Sequence, residues 1–211
     1  MHDNPIRAVL FDFGGVITTS PFDAFRRFER HCGLPNGFLQ KINRTDPDNN
    51  AWARFERGEL SAAAFDEQFA SESRAAGHEI RGLEVVELVY GAVRPRMTEA
   101  VERCRGRFIT ACLTNNFQYD QQDGMRQIQW NSALSLFDEV IESSKVGVRK
   151  PETAFFELAC ARVSIEPHEA VFLDDLGANL KPARAMGMHT IKVGHPDVAL
   201  DELSSMLGIK L

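Results

Sequence analysis

A run of four apolar residues, Ala8-Val9-Leu10-Phe11, stops at Asp12 and is followed at once by Phe13-Gly14-Gly15-Val16, so a carboxylate is delivered where a strand breaks into a glycine turn. A short unbroken apolar run reads as a strand covered on both faces. In open parallel sheets the carboxyl ends of such strands are where ligands bind. Two later runs have the same form: Phe108-Ile109-Thr110-Ala111-Cys112-Leu113 ends in Thr114-Asn115, and Val171-Phe172-Leu173 ends in Asp174-Asp175 with Asn179 beyond. Lys150-Pro151 falls in a loop between them. A strand-end carboxylate, a strand-end hydroxyl, a lysine and a strand-end acidic pair suit a magnesium ion beside a phosphoryl group.

Between the first and second runs the period becomes helical. Ser20-Pro21 predicts a helix start, with serine as cap and proline at the first helical position. Phe22, Phe25, Phe28 and Glu29 continue it to Gly33; Trp52, Phe55 and Glu56 repeat it and Gly58 stops it. Ser61 caps a helix carrying Phe65 and Phe69, and Val85, Val86, Leu88 and Val89 predict one more before Arg94-Pro95. From Met97 helices alternate with strands: the Phe108 strand, a helix around 121–132, a strand at 139–142, a helix at 153–162, the Val171 strand, a helix at 180–186, a strand at 189–193 and a terminal helix at 198–207. That alternation implies a parallel sheet with right-handed crossovers. The expected fold is α/β, a Rossmann-like core of residues 1–17 and 95–211 with an α-helical insert at 18–94.

Composition narrows the function. At 211 residues the chain is long enough to bury its own core, and a formal charge of −6 argues against nucleic acid, whose partners show basic stripes. No stretch approaches the roughly 20 apolar residues of a membrane span, and Met1 to Arg7 lacks a signal-peptide core, so the expectation is a cytoplasmic protein without a membrane partner. Cys32, Cys104, Cys112 and Cys160 form no C-x-x-C pair and read as reduced, buried small residues. The histidines show no ligand spacing. Arg26, Arg27, Arg30, Arg54 and Arg57 alternate with Glu29, Glu56 and Glu59, which reads as solvated helix face.

Taken in order, the four polar segments resemble those of the haloacid dehalogenase (HAD) superfamily over nearly the whole chain. Phe-Asp-Phe-Gly-Gly-Val and Asp-Asp-Leu-Gly-Ala-Asn are most similar to the branch with a small helical cap that includes the amino-terminal phosphatase domain of soluble epoxide hydrolases, and Trp52 to Glu59 is similar to a stretch common in such caps. The resemblance implies a magnesium-dependent phosphatase of a small phosphorylated metabolite, acting through an aspartyl phosphate. It makes Asp12 the nucleophile and a metal ligand, Asp175 the second carboxylate ligand and the Gly14 carbonyl a third. Thr114 and Asn115 would then hold phosphoryl oxygens, Asn115 with its amide side chain included, while Lys150 neutralises the transferring group. Asp174 would support the site as an outer ligand or lysine partner, and Asn179 would orient a metal-bound water or Asp175. Lys145 is a nearby alternative to Lys150, but Gly147-Val-Arg-Lys-Pro151 matches the family pattern with Lys150 as the functional lysine.

One position departs from the family. Its phosphatases carry a second aspartate two residues after the nucleophile as general acid and base, and here that residue is Gly14. Three compensations are open: a leaving group that needs little protonation, an acid from the cap, or a metal-bound water. Two other readings follow from the same departure. One is a metal-free 2-haloacid dehalogenase, against which the Asp174-Asp175 pair counts; the other is a phosphate-binding or regulatory module that has lost catalysis. Oligomeric state is not legible.

Overall fold

The computed structural model describes residues 6–119 and 124–211. Five strands form one parallel sheet in the order β3-β2-β1-β4-β5, with β1 at Ala8–Phe11, β2 at Ile109–Thr114, β3 at Glu139–Glu142, β4 at Ala170–Asp174 and β5 at His189–Lys192. The first strand lies in the middle, so its neighbours come from opposite windings and the strand order reverses beside it. That is the crevice where α/β sheets bind ligands. Phe11 stands level with Cys112 on one side and Leu173 on the other, and the Asp12 N–H still donates to the Leu173 carbonyl at 2.8 Å. The ladder therefore carries Asp12 to the top of the sheet beside the end of β4.

Successive strand residues face opposite sides. Val9, Phe11, Cys112, Val171, Leu173 and Ile191 pack with Met97, Val101, Ala199 and Leu203, which come from α6 (Pro95–Cys104) and, after α7 (Gly124–Leu134), α8 (Ser143–Val146), α9 (Thr153–Val163) and α10 (Gly177–Ala185), from α11 (Pro196–Leu207). Ala8, Leu10, Ala111, Leu113 and Phe172 face the other way onto Phe155, Phe156 and Ala159 of α9 and Leu180 and Ala183 of α10. Helices on both faces explain why these strands are apolar without alternation.

The segment between β1 and β2 is helical and has a core of its own: α1 (Phe22–His31), α2 (Phe38–Arg44), α3 (Ala51–Glu56), α4 (Ala62–Ala75) and α5 (Gly82–Val86) enclose Phe25, Phe38, Leu39, Trp52, Phe55, Phe65 and Phe69. Phe55 stacks on Phe65 with ring centres 4.3 Å apart. Its two connections to the sheet run side by side, Thr18 pairing antiparallel with Val93 and the Arg94 N–H donating to Ile17 O at 2.8 Å.

Several local details differ from the sequence reading. Pro21 occupies the cap position of α1, one place earlier than expected, and Ser20 makes no cap bond; Ser61 does cap α4, accepting from the Ala64 N–H at 3.2 Å. The helix α10 begins at Gly177, three residues before Leu180, and the expected start of α7 at 121–123 lies outside the described residues. Cys32 is exposed, because it follows the last turn of α1 on the solvent side, whereas Cys104, Cys112 and Cys160 are buried free thiols. No described helix is long and apolar enough to cross a membrane.

The helix α2 has no counterpart in the sequence reading, since Gly37 precedes it in a left-handed conformation and offers no side-chain cap. Its cap comes from α1 instead: the Glu29 carboxylate, 2% exposed, accepts from the N–H groups of Gly37 at 2.8 Å and Leu39 at 3.0 Å. We expect Glu29→Ala to destabilise the protein by about 1–3 kcal/mol, the cost of leaving buried donors unpaired, with faster amide exchange at Gly37 and Leu39. Unchanged exchange at those two amides would refute this capping role.

Candidate active site

The strand ends bring Asp12, Asp174 and Asp175 together, with carboxylate oxygens within 4.8 Å of one another. Lys150 reaches into this group from the loop between α8 and α9. Its ammonium, 1% exposed, donates to Asp12 Oδ1 at 2.6 Å and Asp174 Oδ2 at 2.9 Å. The Phe13 N–H also donates to Asp12 Oδ1, at 2.7 Å, and among the described residues no hydrogen bond reaches Oδ2. Asp174 is filled: beyond Lys150 it accepts from the Leu176 N–H at 2.7 Å and from Asn179 Nδ2 at 3.1 and 3.0 Å. Asp12 Oδ2 is therefore the oxygen of these two carboxylates left without a hydrogen bond among the described residues, while Asp175 accepts from its own backbone N–H.

The turn after Asp12 depends on its second glycine. Gly15 has φ +83°, and a Cβ there would lie 2.2 Å from Asp175 Oδ2, so the backbone itself forms the wall against which Asp175 rests. Gly14 has φ −71° and ψ 121°, ordinary extended backbone, and an added Cβ would meet no atom within 4 Å. Arg94 donates to the Gly15 carbonyl at 2.9 Å and lies near enough to Asp175 to oppose the rise of its pKa.

Three carboxylates meet one ammonium in direct contact, with the Arg94 guanidinium near Asp175, so the cluster keeps unmatched negative charge if all ionise. Burial raises the Asp12 carboxyl well above the usual range, with Lys150 opposing and Asp174 and Asp175 adding to the rise. Burial, then the charge of Asp174, pushes Asp175 up to about 6. Burial pulls the Lys150 ammonium down, but Asp12 and Asp174 outweigh it and the net shift is upward. An all-oxygen donor set with unmatched negative charge fits a hard divalent cation such as magnesium.

The expected residues converge, with two differences in what they touch. The Asn115 amide, expected on the phosphoryl group, is occupied: Oδ1 accepts from the Lys150 N–H at 2.9 Å, and Nδ2 donates to Lys150 O at 3.0 Å and to Glu56 Oε2 at 3.1 Å. Asn179 binds Asp174 and neither Asp175 nor open space, because the early start of α10 turns it back toward β4. Thr114 ends β2 with a long 3.4 Å bond from Oγ1 to Asn115 O. Lys145 is exposed and paired with Glu142, away from the carboxylates.

A family model for haloacid dehalogenase-like hydrolases matches residues 6–187. The chain belongs to this family. Among curated proteins, this HAD hydrolase is 36% identical over 97% of its length to acyl-CoA dehydrogenase family member 10 of Mus musculus and 32% identical over 96% to mouse bifunctional epoxide hydrolase 2, spanning only 19% and 39% of those longer proteins. A sesquiterpene phosphatase of Aspergillus oryzae is 25% identical over 96% of this chain and 97% of its own. A HAD-like hydrolase from Porphyromonas gingivalis superposes with TM-score 0.69 at 24% identity, covering 96% of this chain and 98% of that one. A HAD family enzyme from Bacteroides thetaiotaomicron, in complex with magnesium and inorganic phosphate, gives 0.60 at 17% identity over 90% and 96%. At these identities the solved structures establish the HAD fold.

Sequence reasoning missed three parts of this HAD site. Gly15 carried the turn signal but not its contact with Asp175; Arg94 read only as a boundary; and Glu56 and Arg57, taken for solvated face, are turned onto the core. Arg57 pairs with Glu152 at 2.7 Å. The one legible hint was an acid four residues after Trp52, and so on the same apolar stripe of the helix. We expect Gly15→Ala to displace Asp175 and weaken magnesium binding by at least about tenfold, as loss of one ligand or its support does. Titration calorimetry with magnesium alone would show it. Wild-type affinity in a folded variant would refute the wall role of Gly15.

Proposed function

We propose that this HAD hydrolase is a magnesium-dependent phosphatase of a small phosphorylated metabolite, with Asp12 as nucleophile. The observation that carries the reading is the buried cluster of three carboxylates around one ammonium, with Asp12 Oδ2 open. Asp12, Asp175 and the Gly14 carbonyl would hold the cation, which when bound supplies charge neutralisation to the phosphoryl oxygens. Asp12 Oδ1 is pinned by Lys150 and the Phe13 N–H, which aims Oδ2 out of the sheet end. A bond would form from Oδ2 to phosphorus while the bond to the leaving oxygen breaks; the leaving group would depart with the electron pair and take its proton from water, since residue 14 offers no acid. A water oxygen would then bond to phosphorus as the bond from Asp12 to phosphorus breaks, with the proton of that water passing to solvent, which releases phosphate and restores Asp12. Lys150 steadies charge in both steps, and Thr114 lies at the strand end beside them. The named relatives support this: one is a phosphatase along its whole length, and one of the same fold holds magnesium and phosphate. The carboxylate cluster weighs against a metal-free dehalogenase, which gains nothing from two further acids around its nucleophile.

The test is phosphate release from sugar, acyl, nucleotide and lipid phosphates, with magnesium and with chelator. Activity is expected with magnesium only, and Asp12→Asn should abolish it while leaving the fold intact, since asparagine cannot act as an anionic nucleophile. Release that survives Asp12→Asn would point to another nucleophile. Chloride release from a 2-haloacid without metal would instead establish the dehalogenase reading.

Gly14→Asp tests the missing acid. The backbone at residue 14 accepts any L-residue, and the space beyond its Cα is open, so the variant should fold. It should gain up to about 100-fold in turnover of an alkyl phosphate, within the range of positioned acid-base groups. Magnesium affinity should change little, because the ligand expected from residue 14 is its carbonyl. A folded, magnesium-binding variant with no gain on any alkyl phosphate would sink the idea that residue 14 lacks an acid the reaction could use.

A further inference from the structure

Glu56 is 6% exposed in α3, on the helical cap, far in sequence from every carboxylate of the reaction centre. Both its oxygens are engaged. Oε1 accepts from Trp52 Nε1 at 2.9 Å within the cap; Oε2 accepts from Arg149 Nε at 2.5 Å and Asn115 Nδ2 at 3.1 Å, both on the core. With its oxygens so filled, Glu56 is not placed to stand in for the acid absent at Gly14. What it does touch is the support of the lysine. Asn115 clasps Lys150 by a reciprocal pair of backbone bonds, at 2.9 and 3.0 Å, and the same amide nitrogen reaches Glu56. A continuous chain of hydrogen bonds thus runs from the cap through Asn115 to the residue whose ammonium lies between Asp12 and Asp174.

The surrounding contacts show that this is a fitted joint. Ser143 Oγ donates to the Glu56 carbonyl at 2.6 Å. Arg149 also donates to Pro47 O at 3.1 Å, and Arg57 pairs with Glu152. Gly58, at φ +72°, comes so near the Ser144 carbonyl that a Cβ would lie 2.4 Å from its oxygen. The end of α3 and the turn after it therefore meet the core at α8 and at the loops that carry Asn115 and Lys150.

We infer that Glu56 is a positioning residue that couples docking of the cap to the placing of Lys150. With the cap docked, its carboxylate fixes Asn115 and Arg149 and so sets the lysine loop. With the cap lifted, both lose their buried acceptor and the loop loosens, so the nucleophile is charge-matched only when the site is closed. The kinetic consequence rests on the phosphatase reading; the structural one does not.

The test compares wild type with Glu56→Gln, Arg149→Gln and Glu29→Ala as full chains. Glu56→Gln should lower kcat on p-nitrophenyl phosphate by about 10- to 100-fold, the range expected of a small misplacement at a reacting centre, with KM within about twofold. Without substrate, the Lys150 amide should exchange faster. Arg149→Gln breaks the same ion pair from the core side and should match it, which covers the case in which Glu56→Gln does not fold. Glu29→Ala removes only bonds inside the cap, those to Gly37 and Leu39, so it should lower Tm while kcat and Lys150 exchange stay at wild-type values. Equal loss of kcat in Glu29→Ala would assign the effect to cap stability and overturn the proposal. Wild-type kcat and exchange in both Glu56→Gln and Arg149→Gln would overturn it too. Should wild type turn over no phosphate ester, the phosphatase reading fails, and the Lys150 exchange of the variants alone decides the coupling.

Discussion

The buried ammonium of Lys150 is the contact on which the site depends. Three carboxylates cannot share a buried pocket unless something offsets their repulsion, and among the described residues Lys150 is the cation that touches two of them. A buried ion pair adds little net stability, because desolvation consumes most of the attraction. Its value is geometric. It pins one oxygen of Asp12 and one of Asp174, and the apolar packing of Phe11, Leu173 and Phe172 beneath them carries the energetic cost of holding charge at the sheet end. The charge balance remains incomplete, which is why burial can raise Asp12 and Asp175 even with an ammonium in contact.

The helical insert is joined to that centre at two places with different mechanics. At the hinge, residues 17–19 and 92–94 run side by side as a short paired ribbon, and Arg94 ties the returning chain to the Gly15 carbonyl. At the far end, α3 docks through Glu56, Arg57 and Gly58 onto the loops of Asn115 and Lys150. One element thus meets the core both beside Asp12 and beside the Lys150 loop.

The sheet was legible because its signals are local. An apolar run, its terminating residue and the following glycine are neighbours in sequence, so the ends of β1, β2 and β4 and the residues they deliver could be read directly. What escaped were partnerships across distance. Glu29 caps a helix eight residues away in another element, and α2 has no cap of its own for a reader to find. Glu56 reaches Asn115 across 59 positions and Arg149 across 93, so alternating charge on a cap helix looked like solvated surface. Asn179 was assigned the wrong neighbour for a smaller reason: starting α10 at Gly177 puts it in the first turn, where its amide meets Asp174.

Gly14 and Gly15 are indistinguishable in sequence and opposite in structure. Gly15 is held by two independent constraints, a left-handed backbone and the Asp175 carboxylate against its Cα, and either would exclude a side chain. Neither applies to Gly14, whose backbone is extended and whose Cβ direction is empty. The missing side chain at residue 14 is therefore not demanded by the turn. It changes chemistry and leaves conformation alone: the carbonyl and the turn persist, while the space an acid would fill beside Asp12 is left to solvent or to the substrate. A leaving group that needs little protonation suits such a gap without further help, and the cap carboxylate nearest the lysine loop, Glu56, is already committed to Arg149 and Asn115. With Glu56 so held, a leaving group that needs little protonation and a metal-bound water are the two compensations left for a phosphatase with glycine at residue 14.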